Sequence, residues 1–461
     1  MLNFFKIHPI KLLVLSNFAL LIFILNIPGT IALRNLLAVV LLVTLALIFL
    51  KSETSIKLLF NSKHFSNLTL ILLTLTIYIF FHSVFKADEI EWSLSQYRTQ
   101  WIYPMLYFIM GSLLAFLAAS NQYFNNKTLL TVLFSSLFVH VLYIDLIAII
   151  EYFETGQLLT RFGGLTKSPV LGNYITNILN SMIIVEFIYR FRMKEKVLPF
   201  NSYFLFLFLL LCVLSSIIEG MRFGVISLFF MSLTGAIFFI IDNPKYNLKV
   251  KSCIALSLVI LCSLPLLYNV KYDSRWDSLI ETIPIALDTE NNVFWQVKDA
   301  TWREGNNSAI GSLANGVKLD HSNYMRIAWA AKGVEYISKD IYGIGYGRNV
   351  FGHAIEKYDD NDSIRGWHSH SGIVDFTIGV GLIGLLLWIS FISSVILYGT
   401  SVFINKGNYF ALLSVFISSG FFIRSVVDSN MRDHMFKQFF LILGITLVLA
   451  FYEKNKKQEA L

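Results

Sequence analysis

Two histidines one residue apart stand at the head of an apolar run, in Trp367-His368-Ser369-His370-Ser371, and Gly381-Leu382-Ile383-Gly384 follows after a nine-residue spacer. Imidazole titrates closest to neutrality of all side chains, so such a pair is equipped to accept a proton from a hydroxyl or to bind a metal. A second set of residues is cationic. Arg161 and Lys167 flank Phe162-Gly163-Gly164-Leu165-Thr166, Arg222 opens an apolar run after Glu219-Gly220-Met221, and Arg326 and Arg348 lie in a polar region upstream of the histidines. Cations gathered in one place suit a phosphate or pyrophosphate, because planar guanidinium groups bind its oxygens two at a time and neutralise a leaving group. His370 is the candidate proton acceptor, with His368, Arg348, Tyr324 and Asp375 in support.

The elements that must hold these residues are membrane spans. Of the 461 residues 56% are hydrophobic and 15% charged, with a mean hydropathy of +0.63, which excludes an ordinary soluble globule. Apolar runs of about 18 residues cross roughly 30 Å of hydrocarbon, and about twelve satisfy that length. They begin near Ile10, Ile31, Leu68, Trp101, Thr128, Val170, Ser202, Met221, Ser252, Ile373, Gly407 and Met435. The fold class expected is an all-α polytopic membrane protein. It divides into an N-terminal bundle over 1–271, a large polar loop over 272–371 and C-terminal spans over 372–461.

Lysine and arginine collect in short loops on the cytoplasmic side of a membrane. Lys51, Lys57 and Lys63, then Arg190, Arg192, Lys194 and Lys196, then Lys245, Lys249 and Lys251, then Lys454, Lys456 and Lys457 share one side if every run crosses once. Both termini are then cytoplasmic, and the 272–371 loop faces outward with the acidic Asp88-Glu89-Ile90-Glu91. The net charge of +7 follows from this asymmetry, and no basic soluble domain points to nucleic acid. The first run, beside Lys6 and Lys11, lacks a small-residue cleavage site and is kept as an anchor. Cys212, Cys253 and Cys262 lie in apolar helices and imply no disulfide framework.

Within the loop, Ser322 to Lys332 predicts a helix opened by Ser322 or Asn323 and broken at Gly333, while Pro284 and the stretch from Glu304 to Gly316 predict turns. Gly343-Ile344-Gly345-Tyr346-Gly347 lacks the spacing of a dinucleotide fingerprint and reads as a tight turn. His321, His353 and Asp375 have no spacing that recruits them to a metal with His368 and His370, so no metal is expected. Asp145 and Arg424, charged within apolar runs, read as structural partners. Trp367, Tyr324 and Tyr346 are candidates to stack on sugar faces.

Taken together, these motifs resemble the O-antigen ligase and polymerase superfamily of bacterial envelope glycosyltransferases. Span number and the late large loop match. His370-Ser371 with Gly381-Leu382-Ile383-Gly384 is similar to the ligase histidine motif, Arg222 to an arginine opening a mid-chain helix, Arg326-Ile327-Ala328-Trp329 to the loop-helix arginine, and Arg161 through Pro169 to an arginine, glycine and proline stretch. Ser371 and Leu385 depart from the ligase pattern, which favours Asn and Thr there. The resemblance implies transfer of a preassembled glycan from undecaprenyl pyrophosphate to lipid A-core on the periplasmic face of the inner membrane, inverting and without cofactor or metal. His370 would be the base, and Arg222 and Arg326 would hold the pyrophosphate with Arg161 or Lys167. Relatives of the same type join lipid-linked repeats as polymerases or glycosylate protein hydroxyls. A lipid-linked glycan transporter is the rival from another class; it predicts broken helices and paired repeats, and neither is evident in the sequence.

Overall fold

The computed structural model describes residues 9–51, 63–120, 123–241, 247–276, 278–296, 320–361 and 366–459, and every regular element among them is helical. Apolar helices satisfy their backbone hydrogen bonds internally, which is what hydrocarbon demands. The chain runs through α1 (Pro9–Ile24), α2 (Ile31–Lys51), α3 (Lys63–Phe85) and α4 (Ile90–Gln96), which continues by a π-helical turn, Tyr97–Ile102, into α5 (Tyr103–Ala119). Next come α6 (Asn126–Thr155), α7 (Pro169–Met193), α8 (Ser202–Glu219), α9 (Arg222–Ile241) and α10 (Leu248–Tyr272). The polar segment contributes α11 (Leu279–Leu287), α12 (His321–Lys339) and α13 (Val350–Asp359), and the chain closes with α14 (Gly372–Lys406), α15 (Tyr409–Val427) and α16 (Asp433–Glu459).

Eleven stretches among the described residues are long and apolar enough to cross a membrane, one fewer than the sequence suggests, because α1 has only 16 residues. The span expected from Trp101 begins instead at Ile90, since α4 and the π turn are continuous with α5. Helix starts follow capping chemistry: Asn125, Asn201, Asp320 and Asn408 each accept a hydrogen bond from the main-chain N–H three residues on. Asp320, not Ser322 or Asn323, therefore opens the loop helix. Gly333 does not end it either. A Cβ there would lie 2.2 Å from Val374 Cγ1, so this glycine lets α12 lie directly on α14. Pro284 sits inside α11 rather than in a turn, and the Glu304 to Gly316 stretch lies outside the described residues.

The loop helices share a core of Trp295, Tyr324, Trp329, Tyr336, Phe351 and Ile355, joined by Ile378 of α14. Beneath this, Trp101, Phe376, Trp388, Phe421, Phe436 and Phe440 form one aromatic cluster in the bundle. Phe376 belongs to that cluster and adjoins Asp375, so the N-terminus of α14 stands on a packed floor.

α14 is broken, contrary to the expectation of unbroken spans. At Gly381 φ is +68° and ψ −176°, a conformation essentially confined to glycine. The glycine-rich turn seals the break: Ile344 N–H donates to Ile378 O and Gly345 N–H to Gly379 O, both at 3.0 Å, and Leu382 N–H donates to Ile341 O at 2.9 Å. The Tyr78 hydroxyl donates to Val380 O at 2.8 Å. Each of these carbonyls thus accepts a hydrogen bond from a neighbouring segment. A Cβ at Gly381 would meet Tyr342 O at 2.3 Å. Gly381→Ala is expected to cost roughly 1–3 kcal/mol through backbone strain, read as a lower thermal midpoint in detergent; an unchanged midpoint would show that the break is not required.

Candidate functional site

His370 occupies left-handed backbone, φ +60°, which His, Asn and Asp tolerate better than most residues. Its ring lies parallel to the indole of Trp329, with centroids 5.4 Å apart and planes at 7°. Trp329 is itself buried and donates from Nε1 to Trp295 O at 3.0 Å, so α12 fixes the plane of the imidazole. His368 stands edge-on to His370, centroids 4.4 Å apart. The His370 N–H donates to His368 Nδ1 at 3.2 Å. A main-chain N–H only donates, so His368 carries its proton on Nε2.

Burial, then the charge of Arg432, His370, Arg326 and Arg348, pushes the His368 imidazole far below its usual range. It therefore stays neutral at physiological pH. The Ser429 hydroxyl lies 2.9 Å from His368 Nδ1 and 3.2 Å from Asp375 Oδ2, while Asp375 Oδ1 accepts the Ser369 N–H at 2.9 Å. Ser429 stands between the two groups and has one proton, given either to Asp375 Oδ2 or to His368 Nδ1. Ser371 caps α14 through Val374 N–H, so neither histidine serves as the cap.

Arg222 begins α9, as the sequence suggests, and is only 8% exposed. It does not pair with Glu219, which is buried and bound to Thr176 and Asn173 at 2.7 and 2.9 Å. Instead Nη1 donates to Arg275 O at 3.4 Å, and the guanidinium lies over Trp276. Arg326 donates to Val427 O at 3.3 Å and lies over Phe223 of α9. Arg222, Arg326 and Arg275 are close enough to interact electrostatically, and Arg161 joins them through Arg326. Arg161 also lies against Gly220, where a Cβ would be 3.6 Å from its Cγ.

Arg275 is committed to Asp273, with contacts of 2.6 and 2.5 Å. Burial opposes ionisation of Asp273, but the bonds and charge of Arg275 outweigh it and hold the carboxyl below its usual range. Among the described residues no ion pair holds Arg222 or Arg326. Burial lowers the Arg326 guanidinium from its ordinary range, opposed by Asp428 and reinforced by Arg275 and Arg161. Asp273, Asp320 and Asp428 act on these two cations only at a distance, so an incoming anion would supply a direct partner.

A second cationic region flanks the histidines. Arg432 donates to Asn349 Oδ1 at 3.1 Å, and Arg348 pairs with Asp433 at 3.4 Å. Both line a crevice with Asp375, Ser429 and Gln100. The chain matches no protein-family model and no curated protein sequence.

Several expected residues stand elsewhere. The Lys167 side chain is exposed, and among the described residues no hydrogen bond or ion pair ties it to the other cations. Tyr324 and Tyr346 are buried, their hydroxyls donating to Asn292 O at 2.6 Å and Gln100 O at 3.1 Å, so neither offers a face to a sugar. Trp367 packs edge-on against Trp329. His353 pairs with Glu89 at 3.0 Å, close to Glu356, and the His321 side chain lies outside the described residues. Asp145 binds the Ser215 hydroxyl at 2.7 Å, and Arg424 pairs with Asp428 at 2.9 Å. Sequence reasoning passed over Arg275, Ser429 and Arg432. The polar run Asp428-Ser429-Asn430-Met431-Arg432-Asp433 between two apolar helices was the available signal, because alternating spans put it at the same end as His370.

Proposed function

We propose that this chain is an O-antigen ligase, transferring a preassembled glycan from undecaprenyl pyrophosphate to lipid A-core at the periplasmic face of the inner membrane. The observation that carries this reading is the meeting of two guanidiniums that no ion pair holds among the described residues, Arg222, buried, and Arg326, half-buried on the same helix as the Trp329 that holds the His370 imidazole in plane. His370 takes the proton of an acceptor sugar hydroxyl as its oxygen bonds to the anomeric carbon of the donor. The bond from that carbon to the pyrophosphate oxygen breaks, and the electron pair leaves on the phosphate. Arg222 and Arg326, with Arg161 and Arg275 within electrostatic reach, stabilise that charge. One displacement inverts the anomeric centre. Lys167 is retained as an assisting cation that an extended headgroup reaches from solvent.

Asp375 and Ser429 position this machinery through His368. Asp375→Asn is expected to slow transfer by about tenfold or more, roughly 1.4 kcal/mol of barrier, with retention of the donor lipid unchanged. Unaltered turnover would remove the Ser429 coupling from the mechanism.

A polymerase joining lipid-linked repeats, or a transferase to protein hydroxyls, would use the same groups. The lipopolysaccharide profile of a strain lacking the protein separates them. A ligase predicts loss of all long glycan with full-length lipid-linked polymer accumulating, whereas core bearing a single repeat means polymerase, and an unchanged profile with an unglycosylated protein means the third. The transporter reading retains the broken α14, but the bonds that seal the break disfavour it.

A further inference from the structure

We propose that Glu89, His353 and Glu356 hold a divalent transition-metal ion of the zinc class, and that the ion joins the helical bundle to the polar segment at the start of α4. Among the described residues these three form the one group of histidine, cysteine and acidic side chains whose ligating atoms converge, all lying within 4.8 Å of one another. The Glu89 carboxylate already stands 3.0 Å from His353 Nδ1. Zinc bonded to nitrogen and oxygen at about 2.0–2.2 Å sets tetrahedral ligand atoms roughly 3.3–3.6 Å apart, so the set closes on an ion by side-chain rotation with the helices unmoved. None of the three is a group assigned to glycan transfer, so the site stands or falls independently of the ligase reading.

The sequence puts two of the donors on one helix face. His353 and Glu356 are three residues apart in α13, so they lie on adjacent turns of one side. Val350, Phe351, Ala354 and Ile355 bury the other side in the loop core. The imidazole is held in place: its centroid lies 3.9 Å from that of the Trp92 ring in α4, and only 11% of the side chain is exposed. Glu89 comes from the bundle. It is the N-cap of α4, yet its side chain makes no capping hydrogen bond to that helix and faces His353 instead. The cation one residue beyond Glu356, Lys357, pairs with Asp88 at 3.0 Å. Two carboxylates facing one imidazole repel each other, and a protonated ring carries one charge against two, whereas a divalent ion matches both.

The donor set selects the ion. Calcium and magnesium take oxygen ligands, whereas an imidazole joined to carboxylates suits zinc and its neighbours. Three protein ligands leave one position of a tetrahedral zinc to water. The ion closes a seam that the chain already builds: Asp88 N–H donates to Ile344 O at 3.0 Å, Arg348 N–H donates to Gln96 Oε1 at 3.3 Å, and a Cβ on Gly347 would lie 2.3 Å from the Trp92 ring. α13 begins directly after Arg348 and Asn349, which border the crevice beside Asp375. An ion shared by Glu89 and α13 therefore anchors the segment that carries those two residues.

Calorimetric titration of zinc chloride into the purified full-length protein, stripped with EDTA and carrying no histidine tag, tests this without turnover. Wild type is expected to take one zinc ion with a Kd of about 10 µM or tighter. Zinc should also raise its thermal midpoint, as a ligand that binds only the folded chain does. His353→Gln, Glu356→Gln and Glu89→Gln should each weaken binding at least about tenfold, the loss that even outer-shell changes produce, with the zinc-free midpoint unchanged. Glu89→Gln alters an exposed side chain, so it decides the matter even where a change in α13 harms folding. His64→Gln, at an exposed histidine of α3, should bind zinc as wild type does. Absence of zinc binding, or zinc held as tightly by Glu89→Gln as by wild type, would overturn the proposal. So would equal competition by calcium, which would make the group an ordinary acidic surface.

Discussion

His370→Asn is expected to reduce glycan transfer by about 10²- to 10⁴-fold, the range seen when a positioned general base is lost, while the protein accumulates in the membrane at its normal level. Asparagine is the informative replacement because position 370 has φ +60°. It tolerates that backbone where most residues are strained, yet its amide cannot take a proton from a hydroxyl. His370→Ala should give the same loss of activity with an added stability cost. The contrasting site is His368, already held neutral by burial and surrounding cations. Its replacement should alter turnover less than loss of His370 does, because it orients rather than accepts. Retained transfer in His370→Asn, measured against protein quantified in the same membranes, would remove His370 from the mechanism.

Arg222→Met and Arg326→Met should each lower transfer by about 10²-fold or more, as removal of a group aimed at transition-state charge does. Neither should lower the thermal midpoint. A structural arginine behaves in the opposite way: Arg424, paired with Asp428 at 2.9 Å and bonded to Asn173 at 3.2 Å, leaves a carboxylate stranded when removed. Arg222 and Arg326 leave no directly paired carboxylate stranded, only the main-chain carbonyls of Arg275 and Val427, so an apolar chain of similar length costs little there. Arg326→Lys should not restore activity, since a compact ammonium cannot grip two oxygens in the plane of the guanidinium. Loss of stability in step with activity would make these arginines structural. Normal activity in both variants would leave the pyrophosphate without its clamp.

Much of the architecture was legible because hydrocarbon imposes its own pattern: uninterrupted apolar runs revealed nearly every span, and alternation of ends brought Arg222, Arg326 and His370 together. Polar residues obscured one start. Glu91, Ser93, Ser95 and Gln96 conceal the first turns of a helix that runs from Ile90. The break at Gly381 was hidden for a different reason. Residues 372–406 are uniformly apolar, and the bonds that stabilise the break come from residues 341–345 and Tyr78. The length alone was a clue, since 35 helical residues extend roughly 50 Å, well beyond a bilayer core. Gly333 read as a breaker because propensity knows nothing of Val374 packed against it. Tyr324 and Tyr346 read as surface aromatics because the cores that bury them, the loop core for Tyr324 and the bundle around Trp101 and Phe376 for Tyr346, are assembled from separate segments. Ser429 and Arg432 reach the site from the connection between α15 and α16 and Arg275 from the one after α10, and only the fold shows that they meet.

Purified protein reconstituted with an undecaprenyl-pyrophosphate-linked glycan and lipid A-core tests the central claim most directly. The account predicts that wild type forms a new glycosidic bond to lipid A-core with release of undecaprenyl pyrophosphate and inversion at the anomeric carbon, and that His370→Asn forms neither product. Failure of wild type to join the two substrates, or equal product from His370→Asn, would contradict it.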